Sequence, residues 1–388
     1  MAHKPFNLYK RPAKNGKNIY YVQFYDDAGI RLGAKSTGQT SKAAAESWAY
    51  EQLKNGQIVT KKNITFGQYA REWWVWDKCA YINSRRARGA SISHGYADAR
   101  RTYLVRHIIP CFSNIRLQKI TPDIIENWLM DLRGKPGKNG TPLSATTVNH
   151  CLKTLKIMLK EALRRGYIGS NPSQLIGALR ENGKEKSILA RDEVMKLFRE
   201  SGISEIWGGD LRHYTLNLLA ACTGMRMGEV QALQIQNVRN GYISIEQSWD
   251  RKYGLKEPKW SSQRNVPVPT ITLSYLSELV NVSLFQEQED FVFFGSNRSR
   301  PISNEIILKT LYKAFEKIGI PDKERRERNI TFHSWRHFYN SLMRGKVHDA
   351  KLRRLTGHRT LEMTEHYTHF NISDFQDVLE IQEDYFKS

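Results

Sequence analysis

The sequence predicts an α+β, predominantly helical, multidomain chain. It should hold a small N-terminal three-stranded β-sheet with one helix, an all-helical block, and a mixed, mainly helical block with a small sheet. Three observations carry this. β-rich runs crowd into residues 1–57 and return only briefly near 242–245 and 265–268. Elsewhere apolar residues recur at helical spacing. Polar, charged stretches at 61–63 and 177–187 separate the blocks. The expected domains are therefore 1–60, 64–175 and 188–388.

In the first block, residues 6–11 read as a short strand and Asn15-Gly16 as a turn. Residues 19–25 are rich in Ile, Tyr, Val and Phe and form a second strand, turned by Asp26-Asp27-Ala28-Gly29 into a third at 31–35. Ser41 caps a helix from 42 to about 55, closed by Gly56. In the second block, Thr65 caps a helix carrying Phe66, Tyr69, Ala70, Trp73 and Trp74. A helix from about 94 to 109 should stop at Pro110, because proline lacks the N–H a helix interior needs. Thr121-Pro122 is a cap followed by proline at the first helical position, opening 123–132. Residues 134–140 form a basic glycine-rich loop. Ser144 then starts a long helix through Val148, Leu152, Leu155, Leu159 and Leu163, and Asn171-Pro172 ends the block. In the third block, 242–245 and 265–268 are the clearest strands, and 291–294 is a further short apolar run.

Charge narrows the function. Sixty Lys and Arg against 39 Asp and Glu leave a net charge of +21. That excess calls for a polyanion, nucleic acid first and an acidic membrane surface second. No apolar run approaches the roughly 20 residues that span a bilayer. Residues 1–17 are polar and basic and lack the apolar stretch of a signal peptide. Cys79, Cys111, Cys151 and Cys222 are far apart and form no CxxC, so a reducing cytoplasm is expected, with neither zinc ribbon nor disulfide framework. The candidate DNA contacts are Lys10, Arg11, Lys14, Lys17, Arg31 and Lys35 on the first sheet. In the helical block they are Arg85, Arg86, Arg88, Arg100, Arg101 and Arg106. A charge run is ordinarily a solvated face, but the same sign in every block favours phosphate.

Four segments of the last block carry chemistry. They are Thr223-Gly224-Met225-Arg226-Met227-Gly228-Glu229-Val230, Lys256-Glu257-Pro258-Lys259-Trp260, His333-Ser334-Trp335-Arg336-His337, and Leu355-Thr356-Gly357-His358 with Tyr367 nine residues after that histidine. Attack at a DNA phosphorus puts charge on the non-bridging oxygens, which two guanidiniums, Arg226 and Arg336, can hold in a fork. His333 and His358 can donate to the same oxygens or move protons near neutral pH. Lys259 can protonate a departing 5′ oxygen, and Tyr367 carries a nucleophilic oxygen. Arginines doing the charge work leave no need for a metal. No Walker A loop is present, so neither a nucleotide nor any other cofactor is expected.

In this order and spacing the set resembles the tyrosine recombinase (phage integrase) family over about 188–370. Residues 147–172 resemble the last helix of that family's core-binding, SAM-like domain. Residues 1–57 resemble the arm-binding domain of integrases from temperate phages and conjugative transposons. The resemblance implies a recombinase that cuts and rejoins DNA through a 3′-phosphotyrosine on Tyr367 and a Holliday junction, with Glu229 orienting an active-site arginine. It implies that 64–175 and 188–388 clamp duplex DNA. The implied partners are double-stranded DNA at core-type and arm-type sites, a homo-tetramer on synapsed DNA, host DNA-bending proteins and an excision factor, with no membrane.

Other readings stay open. The alternatives are a catalytically silent DNA-binding regulator and a type IB topoisomerase-like relaxing enzyme. Arg226 and Glu229 could be a plain helix-surface ion pair. The HxxxH of His333 and His337 lacks the intervening glutamate of a zincin. Lys256 is the runner-up to Lys259. Finally, residues 371–388 are acidic, and Phe375, Val378, Leu379 and Phe386 form an apolar stripe expected to dock on a neighbouring protomer, with docking on its own catalytic domain the alternative.

Overall fold

The computed structural model describes residues 5–12, 17–25, 31–54, 64–137, 140–181, 187–259, 262–343, 346–357 and 372–387. Lys14, His358 and Tyr367 lie outside the described residues. The chain divides into two compact units, residues 1–183 and 184–388.

The first unit begins with strands β1 (Phe6–Pro12), β2 (Asn18–Tyr25) and β3 (Arg31–Ser36), an antiparallel sheet in that order. Register pairs Phe6 with Phe24 and Leu8 with Val22, so one face is apolar. Helix α1 (Lys42–Lys54) covers that face with Ala49 and Leu53. The opposite face carries Tyr9, Tyr21 and Arg11, whose guanidinium lies 5.2 Å from the Tyr9 ring and 5.3 Å from the Tyr21 ring.

A separate, all-helical core follows. Helix α2 (Phe66–Ala70) opens on a reciprocal cap: Gln68 N–H donates to Thr65 Oγ1 at 3.3 Å, and Thr65 N–H to Gln68 Oε1 at 3.0 Å. It is shorter than the sequence predicts. Trp74 adopts φ +63°, a left-handed conformation that a helix cannot continue through. The ends of that turn are tied by Arg101, which donates to the Ala70, Arg71 and Trp73 carbonyls. Next come α3 (Ala80–Ala87) and α4 (His94–Tyr103). The expected stop at Pro110 does not occur. A π-helical turn at Leu104–Ile108 resets the hydrogen-bond register, Pro110 takes the first turn of α5 (Ile109–Phe112), and its missing N–H costs nothing there. Helix α6 (Pro122–Gly134) is capped by Thr121, and α7 (Ala145–Arg164) by Ser144. Both caps stand where the sequence puts them. Val148, Leu152, Leu155 and Leu159 form the inward stripe of α7.

The second unit starts with α8 (Arg191–Phe198), α9 (Gly202–Glu205), the buried α10 (Leu211–Thr223) and α11 (Met227–Gln231). Strands β4 (Val238–Arg239) and β5 (Tyr242–Ile245) form a sheet with the later β8 (Arg264–Pro267), and β6 (Ser248–Asp250) with β7 (Gly254–Lys256) is a separate hairpin. Helices α12 (Thr270–Asn281), α13 (Asn304–Lys317), α14 (Asp322–Glu327), α15 (Ser334–Met343), α16 (Asp349–Thr356) and α17 (Gln376–Phe386) complete it. The apolar run 291–294 is no strand; only isolated bridges, Gln234 with Phe291 and Phe294 with Pro301, form there.

The C-terminal helix departs from expectation. Its stripe is Phe375, Val378, Gln382 and Tyr385, and it is buried in the chain's own second unit, the alternative docking place. The polar member explains why. Gln382 Nε2 donates to the Cys222 carbonyl at 2.5 Å, at the end of α10. The acidic side is also used in place: Glu383 accepts from Thr270 N–H at 2.5 Å and its hydroxyl at 2.8 Å, and Lys351 pairs with Asp377 at 3.2 Å.

Candidate active site

Two tight turns bring the site together. Helix α10 ends at Gly224, whose φ of +65° is a left-handed cap. A Cβ there would also stand 2.7 Å from the Tyr339 ring on α15. Gly224→Ala should therefore destabilise the second unit by about 1–3 kcal/mol from backbone strain alone. A denaturant melt of the variant checks this. The chain then enters α11, where the Arg226 N–H donates to Glu229 Oε2 at 2.9 Å. The second turn is Gly357, with φ +64°, closing α16 just before His358.

Glu229 is buried and surrounded by cations. Arg226 Nη1 donates to its Oε1 at 2.7 Å. Arg264, at the start of β8, forks onto both oxygens at 2.8 and 3.2 Å. Burial works against ionisation of Glu229, yet Arg264 and Arg226 outweigh it and hold the carboxyl below the usual range.

Arg336 lies on α15 and is 2% exposed. Trp335 Nε1 pins that helix to α10 through Asn217 Oδ1 at 3.0 Å. Arg336 Nη1 donates to the Gly224 carbonyl at 2.9 Å and Nη2 to the Thr356 carbonyl. Burial, with Arg226 and Arg264 nearby, pushes its pKa down to about 9, which leaves it charged at neutral pH. Arg226 Nη2 meanwhile donates to the Gly357 carbonyl at 3.1 Å, and its side chain stays 20% exposed. The structure thus brings Arg226 and Arg336 to one place, the end of α16. Their charges stabilise the orphan carbonyls of that helix end.

The remaining candidates are placed differently. His333 is exposed at the start of α15, its ring 5.0 Å from that of His337. Lys259 is exposed in the connection between β7 and β8. Lys256 is engaged: it pairs with Asp250, which also accepts the backbone N–H of Lys252 at 3.0 Å. The β6–β7 hairpin presses on α11 at Gly228, where a Cβ would stand 2.7 Å from Ser248 Oγ.

The basic candidates divide. Lys10, Arg11, Lys17, Arg31 and Lys35 are exposed, as are Arg85, Arg86, Arg88 and Arg106. Two expected phosphate contacts turn inward instead. Arg100 is 5% exposed and donates to the His150 carbonyl at 2.9 Å and Thr154 Oγ1 at 3.0 Å. Arg101 spends Nη1 on the carbonyls that end α2. Their guanidiniums serve the helical core. Conversely, Arg264 joins the site without belonging to any of the four sequence segments. The signal that could have found it is alternation in β8, which puts Arg264 and Val266 on the buried face, where a charge needs a partner.

Residues 187–373 match the model of the phage integrase family, and residues 80–179 match that of the phage integrase SAM-like domain. Tyrosine recombinase XerD of Staphylococcus aureus (strain COL) is 24% identical over 237 residues, 60% of this chain and 75% of the relative. Its counterpart in Staphylococcus saprophyticus is 24% identical over 270 residues, 68% and 84%. Among solved structures, a Tn1549 transposon integrase in complex with a circular intermediate DNA aligns with TM-score 0.58 at 18% identity, covering 77% of this chain and 97% of that one. A lambda integrase tetramer bound to a Holliday junction aligns with TM-score 0.54 at 18% identity, covering 91% and 96%. Both likenesses are of fold. Motif order, family models and architecture agree, and the chain belongs to the tyrosine recombinase (phage integrase) family, enzymes that break and rejoin DNA strands.

Proposed function

We propose that this chain is the integrase of a mobile element, cutting and rejoining duplex DNA at specific sites through a 3′-phosphotyrosine. The observation that carries the reading is the meeting of Arg226 and Arg336 at the carbonyls of Thr356 and Gly357, one residue before His358. In this reading the two guanidiniums hold the non-bridging oxygens of the scissile phosphate. The Tyr367 oxygen attacks phosphorus as its proton passes to His333 or His358, and the bond from phosphorus to the 5′ oxygen breaks. Lys259 gives that oxygen its proton, and His333 and His358 donate to the phosphate or move protons. The phosphotyrosine keeps the bond energy, so a 5′-hydroxyl from a second duplex can reverse the step without ATP. Exchange then needs four copies on two synapsed sites, a reading supported by the likeness in fold to a lambda integrase tetramer bound to a Holliday junction. The exposed basic and aromatic face of the first sheet supports a second, arm-type DNA contact.

The test is a duplex nicked near the cleavage point, which traps the covalent adduct. Adduct from one site and strand exchange only with two supports a recombinase. Adduct and relaxation without a second site would favour a topoisomerase, and no adduct a silent regulator.

Lys259 and Lys256 are separable in the same assay. Asp250 neutralises Lys256, whereas Lys259 is exposed and available to a leaving group. Lys259→Ala should slow cleavage by about 10²–10⁴-fold, the usual worth of a general acid. A substrate with sulfur at the 5′ bridging position, which leaves without a proton, should restore the rate. Lys256→Ala should change it by less than about tenfold, since the pair is exposed. Rescue of Lys256→Ala and not of Lys259→Ala would reverse the assignment.

A further inference from the structure

The carbonyls of Leu355, Thr356 and Gly357 are consecutive, and each accepts from a different arginine. Arg264 Nε reaches Leu355 at 2.6 Å, Arg336 reaches Thr356, and Arg226 reaches Gly357 at 3.1 Å. Arg226 stays 20% exposed and Arg336 is buried, as is the third arginine, Arg264. Its side chain is 1% exposed, and its donors go to Leu355, to both Glu229 oxygens and to the Ser262 carbonyl at 3.1 Å. Four of its five N–H groups are thus spent inside the protein.

Those partners lie on three separate segments. Glu229 belongs to α11 and fixes the Arg226 fork. Ser262 lies three residues after Lys259, in the same connection. Leu355 is in the last turn of α16, three residues before His358. The junction is also crowded: a Cβ on Gly357 would stand 2.9 Å from Ser262 Oγ and 3.3 Å from Arg264 Nη1. We infer that Arg264 is a positioning residue for strand cleavage. It touches no DNA, and it sets Arg226, the Lys259 connection and the entry to the His358 segment in one mutual geometry. Without it, a buried carboxylate would be left to Arg226 alone and would draw that fork inward, away from a phosphate.

This rests on the recombinase reading above, and the experiment separates the two. Adduct formation on the nicked duplex, DNA affinity and melting temperature are measured for the full chain, Arg264→Lys, Arg264→Met, Glu229→Gln and the double variant Arg264→Met with Glu229→Gln. Arg264→Met should bind DNA within about threefold of the unaltered chain, because most of the +21 lies elsewhere. Its adduct rate should fall by about 10²-fold or more, the usual effect of a misplaced catalytic group. Arg264→Lys should lie between, since an ammonium cannot fork onto Glu229 and reach Leu355 as well. The double variant removes both buried charges, so it should regain melting temperature over Arg264→Met while its adduct rate stays well below that of Glu229→Gln alone, which controls for the altered contact to Arg226. A merely structural role predicts recovery of both together. That recovery would overturn the inference, as would a normal rate in Arg264→Met or a double variant that melts no higher than the single. If the unaltered chain forms no adduct, the recombinase reading falls and this inference falls with it.

Discussion

Tyr367→Phe should bind its DNA site as the unaltered chain does and form no covalent adduct. The substitution keeps the ring and removes one oxygen, so packing has little to lose. The chemistry loses its nucleophile, for which water or a neighbouring hydroxyl is no substitute in an in-line attack. The effect should be complete rather than graded: adduct on the nicked duplex falls below detection at any pH or time. Affinity should hold within about threefold, because phosphate contacts elsewhere in a chain of net charge +21 supply the binding. The nucleophile assignment rests on the family resemblance, whose pattern puts the tyrosine nine residues after the histidine of Gly357-His358 and so picks one of 18 tyrosines. Adducts from Tyr367→Phe would move it to another tyrosine, which peptide mapping of the adduct would identify.

What the sequence made legible was local. Thr65, Thr121 and Ser144 announce helix starts because a cap needs only a hydroxyl and an N–H two or three residues on. Residues 242–245 read as a strand because alternation is written in the strand itself. The misreadings depend on partners far along the chain. Nothing near Trp74 says that it takes a left-handed turn, because the carbonyls of that turn are held by Arg101, 28 residues on from Trp73. Arg100 looks like any surface arginine until His150 and Thr154 arrive from α7. The helix past Pro110 continues only because a π turn precedes it. The candidate site divides in the same way. Residue types follow from the chemistry, whereas their order and spacing were readable only through the family resemblance. The sharing of Glu229 between Arg226 and Arg264, and the three carbonyls at the end of α16, are joined only by folding.

Arg336→Ala should bring the second large loss, about 10³-fold or more in the rate of adduct formation, with the fold intact. The rate argument is electrostatic. In the proposed mechanism charge grows on the non-bridging oxygens as Tyr367 attacks, and a fixed guanidinium stabilises that charge without reorganising. Losing such a group costs about 10³–10⁵-fold in phosphoryl transfer, roughly 4–7 kcal/mol. The folding argument has two opposed contributions. Removal strands the Gly224 and Thr356 carbonyls, at about 1–3 kcal/mol for a buried group left unsatisfied. It also relieves the cost of burying a cation, which first burial and then the nearby Arg226 and Arg264 impose and which lowers the Arg336 pKa. The two partly cancel, so melting should shift far less than the rate. Arg336→Lys keeps the charge and loses the fork, and should recover only part of the rate. DNA affinity should barely move in either variant, which separates lost chemistry from lost binding. An Arg336→Ala protein that cleaves within about tenfold of the unaltered chain would mean that Arg336 serves only to join α10 to α16, and that Arg226 alone faces the phosphate.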